Sequence, residues 1–264
     1  MPEYLDTPIP NQSLTLEHKK GYRQSSIDVH NEQSSEGCVD LRTSGIAGKN
    51  LYHRTDAPPY FHQFEGSVPE LFVRTSVIEK LKIVNTLLAP HNAEIFVYDS
   101  WRPAKVQKGG RIWCEADLRA RFPEWDTARV MEVVNEFWAV GPEAESDIDP
   151  LSPPPHSTGA ALDLTLRRLS DGQEMWMGTL VDDTTPKAYT DWYELHGDEN
   201  SFSDREARKN RRLLYHLLTE AGFVVNPTEW WHVSWGDQLW AKIASARQGQ
   251  TVEAWYSNID PRAP

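Results

Sequence analysis

The sequence has few cysteines and no long apolar run. Cys38 and Cys114 are the two cysteines of the 264-residue chain, and they form no CxxC pair. This argues against a disulfide framework and against a thiolate zinc site. No stretch approaches the ~18–20 apolar residues of a membrane span, and the first residues lack the apolar core of a secretory signal. These absences predict a cytoplasmic protein with no membrane partner.

Basic charge and several catalytic signatures are also scarce. The chain has 27 Lys and Arg against 39 Asp and Glu, a net charge of -12, which excludes nucleic acid as an expected partner because phosphates are repelled. No GxSxG elbow, GxxxxGK[ST] phosphate loop or GxGxxG fingerprint occurs. Hydrophobic residues make up 39% of the chain, including eleven tryptophans, enough for a sizeable core.

Polarity divides the chain into two parts. Residues 1–36 are polar with little periodicity, which predicts an N-terminal extension that wraps the domain or stays loose. Residues 37–264 carry the apolar patterning and are predicted to form one domain. Its alternation of helical and strand-like segments lacks a βαβ rhythm. The expected fold is α+β, with a central, mostly antiparallel sheet and flanking helices.

Periodicity places the individual elements. Apolar spacing predicts a helix over 75–88, and a second helical region over 115–139 that Pro123 divides. Residues 94–98, 161–166 and 229–235 read as strands. The pattern Ser203-x-x-Glu206 resembles a capping box that begins a later helix.

The segment PPPHSTGAALDLTL holds the first candidate ligands. Alternation along its strand places Asp163 on the face opposite the leucines. Gly159 gives the preceding turn the freedom to bring His156 over that face. The pair could bind zinc. A histidine hydrogen-bonded to an aspartate near a turn explains this segment equally well.

The segment EWWH offers a third ligand and a base. A histidine in an aromatic strand is more often a packed core residue than a ligand. However, Pro227 lies two residues before Glu229, so we expect that glutamate on the loop leading into the strand, free to turn toward His232. A neutral histidine ligand with a nearby free carboxylate is what metal-assisted hydrolysis requires.

An arginine follows the strand over 94–98, in the sequence YDSWRP. Pro103 biases Arg102 toward an extended backbone, and a fixed guanidinium can stabilise an oxyanion. An arginine paired with Asp99 is the simpler explanation of this segment alone. Taken together, two histidines and one aspartate leave a fourth zinc position open, as in catalytic sites.

These motifs, in this order, resemble the VanX-type D-alanyl-D-alanine dipeptidases. That family carries S-x-H-x-x-G-x-A-x-D, then E-x-W-H, with an earlier Y-R-P-like arginine segment. This chain has PPHSTGAALD, EWWH and SWRP, and MGTLVDD resembles the family's M-G-[ST]-x-F-D. The resemblance covers roughly residues 38–245. It implies the α+β zinc peptidase fold shared with the hedgehog signalling domain.

The resemblance also implies a role for each site residue. One Zn²⁺ per chain would be bound by His156, Asp163 and His232. Glu229 would be the general base and later the acid, and Arg102 would stabilise the oxyanion. The implied substrate contacts are Asp99, which orients the arginine, and Asp182, which meets the free amino group. Successive strand residues face opposite ways, so one of Trp230 and Trp231 is expected to line the pocket, and Trp230 is taken as the candidate wall.

The expected activity is hydrolysis of a small dipeptide, with D-Ala-D-Ala the leading candidate. Pro154 stands where the family has a serine of substrate recognition, and Val181 replaces an aromatic residue, so the preferred dipeptide stays open. A D,D-carboxypeptidase, a peptidase acting on a natural product and a zinc-binding module without catalysis are the alternatives. The presence of both Glu229 and Arg102 argues against the last.

Overall fold

The computed structural model of the chain describes residues 4–263. Its strands are β1 (Cys38–Asp40), β2 (Ala47–Gly48), β3 (Phe72–Arg74), β4 (Ala93–Asp99), β5 (Ala161–Arg168), β6 (Val224–Val225) and β7 (His232–Ser234). Its α-helices are α1 (Ser13–Lys19), α2 (Thr75–Leu88), α3 (Ala104–Arg121), α4 (Thr127–Phe137), α5 (Trp192–His196), α6 (Phe202–Glu220) and α7 (Gln238–Gln248). None of the helices described is both long and apolar enough to span a membrane.

A five-stranded sheet in the order β2-β4-β5-β7-β6 forms the centre of the fold. Its strands pair antiparallel except β2 with β4. The two remaining strands, β1 and β3, pair separately. The predicted α+β class with a mostly antiparallel sheet is therefore confirmed.

Alternation along β5 separates the core from the functional face. Leu162, Leu164 and Leu166 are fully buried, on the face against which α6 packs. Asp163 points the other way, because successive strand residues face opposite sides. It pairs with Asp99 on β4 and with His232 on β7. The sheet register thus assembles three polar residues from segments far apart in sequence.

The predicted elements agree with the structure where the apolar pattern is regular. The helix over 75–88 and the strands over 94–98 and 161–166 are present, and Pro123 lies between two helices. The first of those, α3, begins at Ala104, well before the predicted 115. The strand expected over 229–235 contains only His232–Ser234, because residues 229–231 form a turn.

The predicted capping box was wrong by two residues. The N-cap of α6 is Ser201, whose hydroxyl accepts a hydrogen bond from the Asp204 backbone N–H. Ser203 instead accepts a hydrogen bond from the Trp176 indole at 2.8 Å. Ser201 and Ser203 both precede an acidic residue by three positions, and the helix begins after Ser201 rather than after Ser203.

The N-terminal segment, residues 4–36, packs against the rest of the chain. Its helix α1 lies against α7, and Ile27 forms a β-bridge with Ala254. The backbone N–H of Gln12 donates to Asp191 Oδ2 at 2.7 Å. The division into an extension and a domain at residue 37 stays a prediction.

Candidate active site

His156 is held in one orientation by its surroundings. It lies in the 3-10 turn Pro155–Thr158, which ends at Gly159 with φ +69°. A Cβ at that glycine would lie 2.6 Å from the sulfur of Cys38, so no larger residue fits. Nδ1 of His156 lies 2.8 Å from the Ser100 carbonyl oxygen. A carbonyl only accepts, so Nδ1 carries the proton and the lone pair of Nε2 is free to bind a metal.

His232, in the neighbouring strand, is also oriented by contacts at its two ring nitrogens. Its Nδ1 lies 3.2 Å from Asp163 Oδ1, the carboxylate paired with it across the strands. Its Nε2 lies 3.5 Å from Ser234 Oγ, whose hydroxyl donates to Asp237 Oδ2 at 2.8 Å. The contact of Nε2 with Ser234 and Asp237 is the outer contact that orients a ligating histidine, and it leaves Nδ1 facing Asp163 and His156 as the ligand atom.

The three predicted ligands fit a zinc ion. Their ligating atoms all lie within 4.8 Å of one another. His156 Nε2 and His232 Nδ1 are 3.1 Å apart, so when both nitrogens are unprotonated their lone pairs converge on the position a metal ion would take. Asp163 Oδ1 is buried and has no hydrogen-bond partner among residues 4–263, which buried carboxylates rarely tolerate. Two imidazoles and one carboxylate, with a fourth position open, are typical of catalytic zinc.

Glu229 lies beside this group without belonging to it. It sits in the turn before β7, where its N–H donates to the Asn226 carbonyl at 3.2 Å. One carboxylate oxygen is 3.7 Å from His232 Nδ1. Burial raises the pKa of Glu229 above its ordinary value, which brings a carboxylate closer to the range useful for proton transfer at neutral pH.

Arg102 is fixed by contacts on every side of its guanidinium. Nε donates to Asp99 Oδ2 at 2.8 Å, and Nη2 donates to Asp163 Oδ2 at 2.7 Å. The guanidinium lies over the rings of Tyr52 and Trp138, at 4.7 and 5.0 Å from their centroids. Burial opposes its charge, but these aspartates raise its pKa, so it stays a cation.

Asp182 forms a second acidic position in the same cavity. Its Oδ2 accepts hydrogen bonds from Tyr52 Oη at 2.9 Å and Tyr60 Oη at 2.7 Å. Burial and the negative charge of Asp163 raise the pKa of Asp182 to about 7. A cationic group arriving here would favour the ionised carboxylate.

A cavity of about 270 Å³ contains these groups. Of the predicted site residues, its walls include His156, Asp163, His232, Glu229, Arg102 and Asp182. Asp99 lies behind Arg102. Trp230 was predicted as a pocket wall, but its indole donates to Thr179 Oγ1 in a separate cavity, and Trp231 lines this one instead.

Other residues in and around the cavity were missed at the sequence level. Tyr52 and Tyr60 bind Asp182, and Gln107 accepts from Arg102 Nη1 at 2.9 Å. Gln107 follows Arg102 by little more than one helical turn, so the SWRP motif could have indicated it. Lys19 and Tyr22 reach the cavity from the N-terminal segment, and no local pattern points to them.

Comparison with known proteins gives concordant results. A profile of the D-Ala-D-Ala dipeptidase family matches residues 67–250. The D-alanyl-D-alanine dipeptidase of Synechocystis is 35% identical over 212 residues, 75% of this chain and 82% of that protein. The Enterococcus faecium enzyme of the same name is 32% identical over 126 residues, 41% of this chain and 58% of that protein.

One solved structure, VanYB in complex with D-Alanine-D-Alanine, overlaps 80% of this chain and 94% of its own. It does so at 13% identity and a TM-score of 0.40, so the assignment rests on the sequence matches. Those matches confirm the resemblance drawn from the motifs. The chain belongs to the D-Ala-D-Ala dipeptidase family.

Proposed function

We propose that this chain is a zinc-dependent dipeptidase that hydrolyses D-Ala-D-Ala. The observation that carries the proposal is the position of Glu229, a buried carboxylate beside three converging ligand atoms but outside their set. Zinc held by His156, Asp163 and His232 would supply Lewis acidity, polarising the scissile carbonyl and acidifying the attacking water. The family match supports the choice of substrate.

Glu229 performs the proton transfers. Its carboxylate takes a proton from the water that adds to the carbonyl carbon. When the C–N bond of the tetrahedral intermediate breaks, the same group gives that proton to the leaving amine. A raised pKa makes Glu229 a stronger base in the first step and leaves it protonated for the second.

Arg102 stabilises the negative charge that develops on the carbonyl oxygen. Its guanidinium is already oriented by Asp99 and Gln107, so little reorganisation accompanies the reaction. We expect Arg102→Lys to lower kcat by about 10²–10³-fold, since a lysine cannot reproduce the planar contacts.

Asp182 binds the free amino group of the dipeptide. A blocked amine would leave this carboxylate buried without its cationic partner, which disfavours binding. This requirement favours a dipeptidase over a D,D-carboxypeptidase, because longer peptides carry no ammonium at that position. A free dipeptide as the only partner, with no nucleic acid or membrane involved, and a cytoplasmic location belong to the same proposal.

Substitution of the base tests the mechanism. D-Alanine release from D-Ala-D-Ala is measured for the zinc-loaded protein, after chelation and after zinc is restored. Glu229→Gln is expected to keep one zinc per chain and to lose about 10²–10⁴-fold in kcat. Glu115→Gln, an exposed change on α3, serves as the matched control. Unchanged turnover by Glu229→Gln would remove that residue as the base.

A second comparison tests the amine site. N-acetyl-D-Ala-D-Ala is expected to be cleaved at least about 10-fold less efficiently than the free dipeptide. Equal cleavage of both compounds would contradict the role of Asp182 and favour the carboxypeptidase alternative.

A further inference from the structure

The N-terminal segment contributes one wall of the catalytic cavity. Helix α1 ends at Lys19, and Gly21, with φ +70°, turns the chain back so that Tyr22 and Arg23 also line the cavity. The turn is anchored from behind by Gln238, whose side-chain amide donates to the carbonyl of Arg23 at 3.0 Å. This wall is therefore held in place rather than merely nearby.

The ammonium of Lys19 points into the turn that carries the predicted base. Nζ donates to Asn226 Oδ1 and to Thr228 Oγ1, both at 2.9 Å. Both acceptors are neutral, and within residues 4–263 no ion pair joins Lys19 to a carboxylate. An ammonium has three donors, so one N–H remains for another acceptor.

In the other two cations of the cavity, every guanidinium nitrogen already donates to a protein acceptor. Arg102 is bound to Asp99 and Asp163. Arg23 donates to the carbonyl oxygens of Ser152 and Val140. Lys19 forms no ion pair among the residues described, although the negative charges of Glu229 and Glu136 favour its charged form. Burial lowers the pKa of Lys19, and an incoming anion would offset that loss of solvation.

The substrate has an anion to match. D-Ala-D-Ala carries an ammonium at one end and a carboxylate at the other, and Asp182, which accepts hydrogen bonds from Tyr52 and Tyr60, lines the cavity. Lys19 reaches the same cavity from the N-terminal segment, beside the turn before Glu229. Pro154, also in the wall, has neither a hydroxyl nor an N–H to donate.

We propose that Lys19 binds the C-terminal carboxylate of the dipeptide, an inference that rests on the proposed function. It supplies from the N-terminal segment the donor that Pro154 cannot provide. Lys19 and Asp182 together would select a small zwitterion with both charged ends free. Lys19 is a substrate-binding residue in this scheme and takes no part in the proton transfers.

The test compares D-Ala-D-Ala with its C-terminal amide, which lacks the negative charge. Lys19→Gln removes the charge but keeps donors for Asn226 and Thr228, and Lys19→Met removes both. Each variant is expected to raise KM for the dipeptide about 10–100-fold with kcat nearly unchanged. Neither should reduce cleavage of the amide further. Lys20→Met, the exposed neighbour paired with Glu17, is the matched control and should behave as wild type.

Calorimetry provides a readout that does not need turnover. Zinc-loaded Glu229→Gln is titrated with D-Ala-D-Ala, with and without Lys19→Gln, and the added substitution should weaken binding by the same factor. Equal losses for dipeptide and amide would show that Lys19 only supports the turn, and would overturn the proposal. Failure of the wild type to cleave D-Ala-D-Ala at all would instead refute the proposed function.

Discussion

At the scale of single residues, the protonation of Asp182 should control substrate binding. Burial raises the pKa of this carboxyl to about 7, so the negative charge that meets the ammonium is present above that pH and lost below it. A zinc ion nearby lowers the value, and zinc-loaded wild type therefore sets the reference. We expect KM to rise as the pH falls through the transition, by up to about tenfold per pH unit.

The hydroxyl of Tyr60 tunes this transition. Its hydrogen bond stabilises the ionised form of Asp182 and so lowers the pKa. Tyr60→Phe should move the rise in KM to higher pH, while the Tyr52 contact remains. Asp182→Asn is the control, with a high KM and no such transition. An identical pH profile for Tyr60→Phe and wild type would contradict the assignment.

At the scale of elements, helices α3 and α4 approach each other because Gly110 has no side chain. A Cβ at Gly110 would lie 2.0 Å from Cη2 of Trp138, the residue that follows α4 and covers Arg102. An exposed helical Gly→Ala change normally stabilises by about 0.5–1 kcal/mol. Here we expect Gly110→Ala to destabilise by about 1–3 kcal/mol and to lower kcat/KM, because the indole must move off the guanidinium.

Gly109→Ala is the matched control for that prediction. Its Cβ would lie 2.9 Å from a ring carbon of Phe64, a milder clash with a residue that does not touch the guanidinium directly. Urea unfolding and steady-state kinetics of the two variants should rank Gly110→Ala as the more damaging. A neutral or stabilising Gly110→Ala would show that Trp138 moves without consequence.

The N-terminus of α6 carries a separate prediction about stability. Ser201 caps the helix by accepting from the Asp204 N–H, so Ser201→Ala should cost about 0.5–2 kcal/mol in the free energy of unfolding. Ser203→Ala removes only the exposed contact with Trp176 and should cost less. Equal effects in urea unfolding would restore the capping position originally predicted from sequence.

Features encoded by a short, regular stretch of sequence were predicted best. Helix α2 was predicted in full because its apolar spacing is regular and a proline follows closely. Strand β7 was predicted too long, since Trp230 and Trp231 are both buried and an uninterrupted aromatic run gives no alternation that separates turn from strand. The three predicted ligands were found because their motifs are short: the functional residues of each motif lie within a few positions of one another.

The position of Lys19 could not be predicted from the sequence. Its partners Asn226 and Thr228 lie 207 and 209 positions away, and a lysine in a polar helix looks like any solvated lysine. The contact is produced by the path of the whole chain, so it becomes visible only in three dimensions. The two tyrosines on Asp182 were missed for the same reason.

At the scale of the whole molecule, Gln238 joins the two ends of the chain. Its Nε2 lies 3.0, 2.6 and 3.0 Å from the carbonyl oxygens of Arg23, Ser25 and Leu151, which share its two N–H donors. Gln238→Ala should lower the free energy of unfolding by about 1–3 kcal/mol and raise KM, because the wall bearing Lys19 loosens while the catalytic groups stay in place.

Thermal unfolding and kinetics check this prediction, with Gln248→Ala at the exposed end of α7 as control. A rise in KM without a change in kcat is expected for Gln238→Ala alone. If its KM stays at the wild-type value, the wall does not depend on this side chain.

The Gln238 contact also has a consequence for biosynthesis. Arg23 is synthesised 215 positions before Gln238, the residue that holds it in place. The β-bridge of Ile27 likewise cannot form until Ala254 has been synthesised. A nascent chain that already contains all three ligands and Glu229 still lacks a complete pocket, since domains form their long-range contacts only after synthesis supplies both partners. We therefore expect a chain that ends before α7 to bind the dipeptide more weakly than the full chain, so that premature termination yields a peptidase with a raised KM.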